Sequence, residues 1–475
     1  MTLQPRPEIL KSPRVPGPAN GPFGLRHVYS CNTCPLEFYE RLGSYGDIAT
    51  FRVFGIRVFF LNSPELIHEV LRDTGTRFRK LPRNMKTLAR GLGRGLLVTE
   101  GDEWLSARRH VQPSFNHHAL EGIVADAVPS VEALIDRWSC QMEVELFAEM
   151  NRLTVDVASR VLLGVQLEEE TRRIGAAART LAECWDHCVR QIIPLPNWFP
   201  LPRHYRERKA ISYLRSLIAQ IICQRRADAN SRSDLLSRLV TTYDEAPGDS
   251  SKNHELLIDQ VLTLFVAAYH ASTVTLCWTL YLLARHPVIH QNVVDEIDRI
   301  LGDRRPTLTD LKNLPLARNV LKESMRIYPS AWELFPREAV EATQVGKWNI
   351  PRGAWLLLSP YVTQRDARFF ADPLTFDPAR WTPGRVEGID PHAYFPFGGG
   401  RHVCVGREMA MAPNTLILVM VLRKYRLGFL QRVHVPDRLP PLALVPRDPM
   451  WTRILPRLVS PSSEDKLQLA ETSLG

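Results

Sequence analysis

Phe397-Gly398-Gly399-Gly400-Arg401-His402-Val403-Cys404-Val405-Gly406 is the stretch on which the reading of this chain turns. One cysteine stands in a glycine-rich loop just before a run of helix-forming residues. Peptide N–H groups at a helix start favour the thiolate over the thiol. Glycines let the backbone approach a large flat ligand closely and aim N–H donors at the sulfur. Arg401, His402 and Arg407 add positive charge beside it. A thiolate so placed can bind a metal or act as a nucleophile, with His402 near enough in sequence to serve as a base for the second role. The bland alternative is a buried structural cysteine behaving as a small hydrophobe, and the loop chemistry argues against it.

The stretch resembles the haem-binding signature of the cytochrome P-450 superfamily, F-G-x-G-x-[RH]-x-C-x-G, in its soluble bacterial-like type. The resemblance implies heme b with Cys404 as its axial thiolate, and His402 facing a haem propionate. Thiolate ligation pushes electron density onto iron and favours O–O cleavage. Three further stretches are similar to family motifs. Glu323-Ser324-Met325-Arg326 resembles E-x-x-R, two side chains on one helix face that can pair. Its implied third member is Arg380, in Phe376-Asp377-Pro378-Ala379-Arg380-Trp381, and its implied role is to hold the loop carrying Cys404. Trp104-Leu105-Ser106-Ala107-Arg108 resembles W-x-x-x-R, whose Trp and Arg bind a propionate, and Arg337 is similar to another propionate-binding arginine.

The central helix departs from the family. The pattern there is roughly [AG]-G-x-[DE]-T-T, and this chain reads Ala267-Ala268-Tyr269-His270-Ala271-Ser272. His270 stands at the acid position, and Ala271 has no hydroxyl. In the family the acid–alcohol pair orders water for proton delivery, and without it turnover can leak hydrogen peroxide. Three readings stay open. Ser272 or a substrate hydroxyl replaces the missing group. His270, a residue type that titrates near neutral pH, relays the proton. Or the chain uses peroxide directly or catalyses another reaction. The plain alternative for His270 is a packed helix histidine.

Around these motifs the chain reads as mainly α, a single large domain with small β-sheets near both ends. Residues 1–20 form a Pro/Arg-rich lead without an apolar signal core, 21–458 the domain, and 459–475 a polar tail that is expected to be disordered. Up to residue 45 one short helix is expected, around Pro35–Leu42. Ile48–Phe54 and Ile56–Leu61 read as strands joined by a tight turn at Gly55. Ser63-Pro64-Glu65 signals a helix start. From Asp102 to Pro329 the pattern is helical, with breaks at 193–202, 229–233 and 246–253. Strands follow over 332–358 and 426–454, and a helix after Cys404 runs to about Tyr425. Val261–Ala284 lacks Asp, Glu, Lys and Arg and is long enough to span a bilayer. Its hydroxyls and His270 favour a buried central helix, so no integral membrane segment is expected.

The net charge of +9 comes without a basic block, so nucleic acid is not an expected partner. Eight scattered cysteines read as reduced thiols of a cytoplasmic protein, and the C-x-x-C of Cys31 and Cys34 lacks the second pair that a zinc site needs. The expected activity is insertion of one oxygen atom from dioxygen into a small apolar organic substrate. Electrons would come from a separate ferredoxin or flavodoxin-type donor, because the chain holds no flavin or ferredoxin domain of its own. The alternatives are a peroxide-dependent or non-monooxygenase haem-thiolate enzyme, or a non-catalytic haem-based binding protein. Candidate pocket residues are Phe265, Tyr269, Ala271, Trp332 and Leu334.

Overall fold

The uncharged run 261–284 forms the second half of one long helix, Ser250–Arg285. At 1.5 Å per residue it is roughly 54 Å long and crosses the whole domain. Asp249 caps it, its carboxylate accepting the Ser251 N–H at 2.9 Å, so the expected break over 246–253 narrows to a turn ending at Asp249. Its apolar residues pack into the largest core together with Leu146–Ala158, Pro315–Ile327 and Arg407–Lys424. Most of the helix is buried within the fold. In this computed structural model the described residues are 13–115, 117–167, 170–190, 201–228, 234–434 and 443–457. The expected breaks over 193–200 and 229–233 and the tail 459–475 lie outside them, as does the lead up to residue 12.

The β pieces expected at the two ends of the chain meet in one five-stranded sheet. Its order is Ile48–Val53, Ile56–Leu61, Trp355–Leu358, Leu334–Ala339 and Phe78–Lys80. Phe54 and Gly55, at φ 48° and 81°, make the tight turn between the first two strands. The last pair is antiparallel and sets Lys80 directly beside Arg337. A smaller sheet joins Glu143–Glu145, Trp451–Pro456 and Tyr425–Phe429.

The N-terminal region holds more order than its composition suggests. A helix over Leu25–Thr33 precedes the expected one, which runs Pro35–Gly43. Burial of His27 against Phe38 and Phe51, at ring separations of 5.9 and 5.2 Å, anchors it. That contact is tertiary, so local propensity does not announce it. Residues before it run along the first strand, with Pro16 O accepting from Thr50 N at 2.8 Å. The helix Pro64–Arg72 starts as expected, with Ser63 as its cap. All eight cysteines are free thiols.

Candidate active site

The cysteine loop is folded by its glycines. Gly398 and Gly400 adopt φ of +70° and +62°, a region that costs any other residue steric strain. A Cβ on Gly400 would meet Leu71 O at 2.1 Å, so backbone approaches backbone there. Cys404 N closes the loop on Phe397 O at 3.0 Å, and Gly398 N bonds Phe395 O at 2.9 Å. The helix Arg407–Lys424 follows immediately.

Behind the loop lies a buried polar scaffold. Glu323 and Arg326 are wholly buried and paired through two hydrogen bonds of 2.8 and 2.9 Å. Arg380 Nε lies 3.4 Å and Trp381 Nε1 2.9 Å from the same carboxylate. Arg326 also donates to Gln364 O at 2.8 Å, and Gln364 Oε1 accepts from Phe395 N at 3.0 Å. A continuous chain of hydrogen bonds therefore runs from Glu323 through Arg326, Gln364 and Phe395 to the loop. One charge here is balanced by its partner, which is the condition under which buried ions are tolerated. Ala379 leaves the cluster intact.

Cys404 is accessible to solvent, yet burial is the largest influence on its thiol and pushes the pKa up. The Gly406 backbone N–H, then Arg108 and Arg407, pull it back down. A group both accessible and hemmed in by protein lies on the wall of an internal cavity. The same wall carries cations. Arg108 Nη1 donates to Val403 O at 2.9 Å, and Trp104 stacks on His402 at 4.0 Å with the planes 9° apart. Arg337 is buried, donates to Thr74 Oγ1 at 3.2 Å and to Phe335 O, and has its pKa lowered to about 10 by burial. Lys80, which sequence reasoning did not single out, donates to Leu97 O at 2.8 Å and Thr99 O at 3.0 Å. Burial lowers it to about 8, and Glu100 lies 3.8 Å away. Burial, then Lys80, Arg337, Arg401 and Arg108, hold His402 down near 3, so its ring is neutral, and its Nδ1 is buried without a partner among the described residues.

Lys80, Arg108 and Arg337 thus converge, with Glu100 the one carboxylate paired to them among the described residues. Buried cations in excess of their carboxylates call for an anionic ligand. An accessible thiol, an excess of cations and an orphaned imidazole nitrogen fit a haem, whose iron would be held by the sulfur and whose two carboxylates would be held by the cations.

On the central helix, Leu264, Val266, Ala267, Ala268, His270, Ala271 and Ser272 keep accessible surface, while Phe265, Tyr269 and Thr273 are buried. Leu264, Ala267, Ala268 and Ala271 recur at helical spacing, so they form one face. His270 borders it, and burial pushes its pKa down to about 4. It is therefore neutral near pH 7 and does not titrate there as its residue type suggested. Among the described residues its Nε2 has no partner, and neither has the Tyr269 hydroxyl. Ser272 makes no hydrogen bond among the described residues. Of the expected pocket residues, Ala271 lies on the accessible face. Phe265 and Tyr269 belong to the core, because they sit on the opposite side of the helix. Trp332 and Leu334 line a cavity of about 460 Å³.

Comparisons with known proteins bear on the family and the fold. The family model described as Cytochrome P450 matches residues 15–453. The cyclooctat-9-en-7-ol 5-monooxygenase of Streptomyces melanosporofaciens is 31% identical over 85% of this chain and 87% of its own. The pentalenene oxygenase of Streptomyces avermitilis is 28% identical over 84% and 88%. The crystal structure of the cytochrome P450DA heme domain covers 94% of this chain and 98% of its own with a TM-score of 0.83, at 23% identity, a likeness of fold. On a match of this extent, the chain belongs to the cytochrome P450 family, and its reaction class is that of an oxygen-incorporating haem-thiolate monooxygenase.

Proposed function

We propose that the chain holds heme b through Cys404 and inserts one oxygen atom of dioxygen into a small, largely apolar organic molecule. The observation that carries this reading is the accessible Cys404 thiol, set on a cavity wall beside buried cations in excess of their carboxylates. Lys80, Arg108 and Arg337 would hold the haem carboxylates, with His402 as a neutral donor fixed by the stacked Trp104. The haem supplies the activation of dioxygen, and thiolate ligation favours O–O cleavage. The alanine face of the central helix provides a flat apolar floor for substrate. The two Streptomyces relatives are named for cyclooctat-9-en-7-ol and pentalenene, which favours a cyclic hydrocarbon skeleton here.

Ser272 and His270 are the groups that handle protons. The Ser272 hydroxyl, uncommitted among the described residues, can order a water and pass its proton. His270, held neutral by burial, can take a proton at one nitrogen only while releasing one from the other. Electrons come from a separate acidic ferredoxin or flavodoxin-type protein. The exposed Arg401 and Arg407 beside Cys404 would steer it, so Arg407→Glu should slow reduction most at low salt. Eight free thiols agree with a cytoplasmic setting.

Ala271 favours a second reading, direct use of peroxide, because the residue cannot supply the missing hydroxyl. One experiment separates the two. Turnover of a cyclic hydrocarbon with ¹⁸O₂, NAD(P)H and a ferredoxin system should place one labelled oxygen in product. Product from peroxide alone, and none with the electron donor, would replace the first reading by the second.

A further inference from the structure

The second cavity holds a polar pair that the oxygenation chemistry does not use. Its volume is about 460 Å³ and its walls are mostly apolar, with Phe51, Trp332, Phe335 and Trp355 among them. Glu333 also lines it. One carboxylate oxygen accepts from the Tyr39 hydroxyl at 2.6 Å. The other has no hydrogen-bond partner among the described residues, and no cation there pairs with the group. Tyr39 is itself fixed, packed edge-on against Trp332 and Phe60 at 5.1 and 5.4 Å. Burial holds the Tyr39 phenol well above its ordinary range, so it stays a donor. A half-buried carboxylate facing an apolar cavity with half its acceptor capacity unused is open to a hydrogen bond from a ligand that displaces water.

The cavity adjoins the proposed haem site. Leu334 and Phe335 line it, and Arg337 follows on the same strand, Leu334–Ala339. Leu88, another wall residue, belongs to the core that includes Phe265 of the central helix.

We propose that Glu333, positioned by Tyr39, accepts a hydrogen bond from a hydroxyl group on an otherwise apolar substrate, so that the enzyme takes an alcohol of a cyclic hydrocarbon in preference to the hydrocarbon itself. This rests on the reading of the chain as an oxygenase of an apolar molecule and names its substrate class. A neutral alcohol suits the site better than an ammonium ion, because the Arg83 guanidinium lines the same cavity and repels a second cation. The substrate then has to come from a reaction that leaves a hydroxyl on the skeleton, either an earlier oxygenation or a cyclisation ended by water.

The test uses haem-loaded protein and four probes of one shape: adamantane, 1-adamantanol, 1-methoxyadamantane and 1-adamantanamine. Affinities are read at about pH 9, where the Glu333 carboxyl is ionised, by equilibrium dialysis, which does not depend on turnover. The alcohol should bind about tenfold more tightly than the hydrocarbon or the ether, the worth of one hydrogen bond to a charged group. In Glu333→Leu the alcohol and the hydrocarbon should bind alike within about twofold, and in Tyr39→Phe the preference should survive. Glu333→Gln, of nearly the same shape, guards against misfolding; its amide can donate to either oxygen, so alcohol and ether should become equal. Equal binding of alcohol and ether by the unaltered protein, tighter binding of the amine, or a preference that persists in both Glu333 variants would overturn the proposal. Such a result in protein with a thiolate-type reduced carbon monoxide spectrum leaves the haem reading standing. Absence of that spectrum would overturn the haem reading instead.

Discussion

The two walls proposed to enclose the haem are built by opposite rules. On the Cys404 side nearly every atom is committed. Glycines fold the loop, hydrogen bonds link it to a wholly buried ion pair, and Arg108 ties it to the helix Gly101–Val111. On the central-helix side the accessible face is methyl groups, and Ser272, His270 and Tyr269 keep uncommitted polar atoms. The first wall can hold a ligand only one way. The second leaves its chemistry to a few side chains that can change without disturbing the fold. This difference explains why the chain keeps the family's cysteine loop while departing from its pattern at Ala267–Ser272.

If the contrast is right, substitutions on the first wall cost stability and substitutions on the second cost chemistry. The largest effect is expected at Arg326→Ala. It removes both close hydrogen bonds from a cation to the buried Glu323 carboxylate and leaves it, among the described residues, only the longer charged contact to Arg380 at 3.4 Å, a loss of about 3–5 kcal/mol, seen as a lower denaturant midpoint or as insoluble protein. Unchanged stability would break the scaffold half of the comparison. Gly400→Ala comes next, at about 1–3 kcal/mol for the strained backbone alone, with added cost because Leu71 O must move. Thermal unfolding and haem retention should fall together.

On the second wall, Ser272→Ala should leave stability within about 0.5 kcal/mol. It should raise the ratio of hydrogen peroxide to organic product about fivefold, the worth of one hydrogen bond of ~1 kcal/mol. Ala271→Thr should shift the same ratio the other way. No change from either would assign proton delivery to His270 or to the substrate. An effect that shows only as a pH dependence concerns Glu333, whose carboxyl burial raises to about 7, above the ordinary glutamate value of about 4.3. The folded state binds that proton more tightly than the unfolded state does. The contribution is therefore complete below about pH 4.3 and is lost as pH rises through about 7. Glu333→Gln should flatten the decline in Tm over that window, and an unaltered slope would contradict the assignment.

What could be read in the sequence follows the same division. The cysteine loop, E-x-x-R and W-x-x-x-R were legible because each places its chemistry at short, fixed spacing. The hairpin at Gly55 and the Ser63 cap were legible for the same reason. Lys80 was not, because only the pairing of Phe78–Lys80 with Leu334–Ala339 sets it beside Arg337. Nor was the Glu333–Tyr39 pair, whose members lie 294 residues apart in sequence. The helix face told Ala271 from Phe265 and Tyr269 only once its neighbours were in place. The pKa of His270 depends on burial, which its residue type does not carry.

The central claim is that Cys404 binds the haem iron, and it is tested most directly by the reduced carbon monoxide difference spectrum of the unaltered protein and of Cys404→Ala. The account predicts a thiolate-type spectrum for the first and its loss in the second, with haem still present. A thiolate-type spectrum that persists in Cys404→Ala would contradict it.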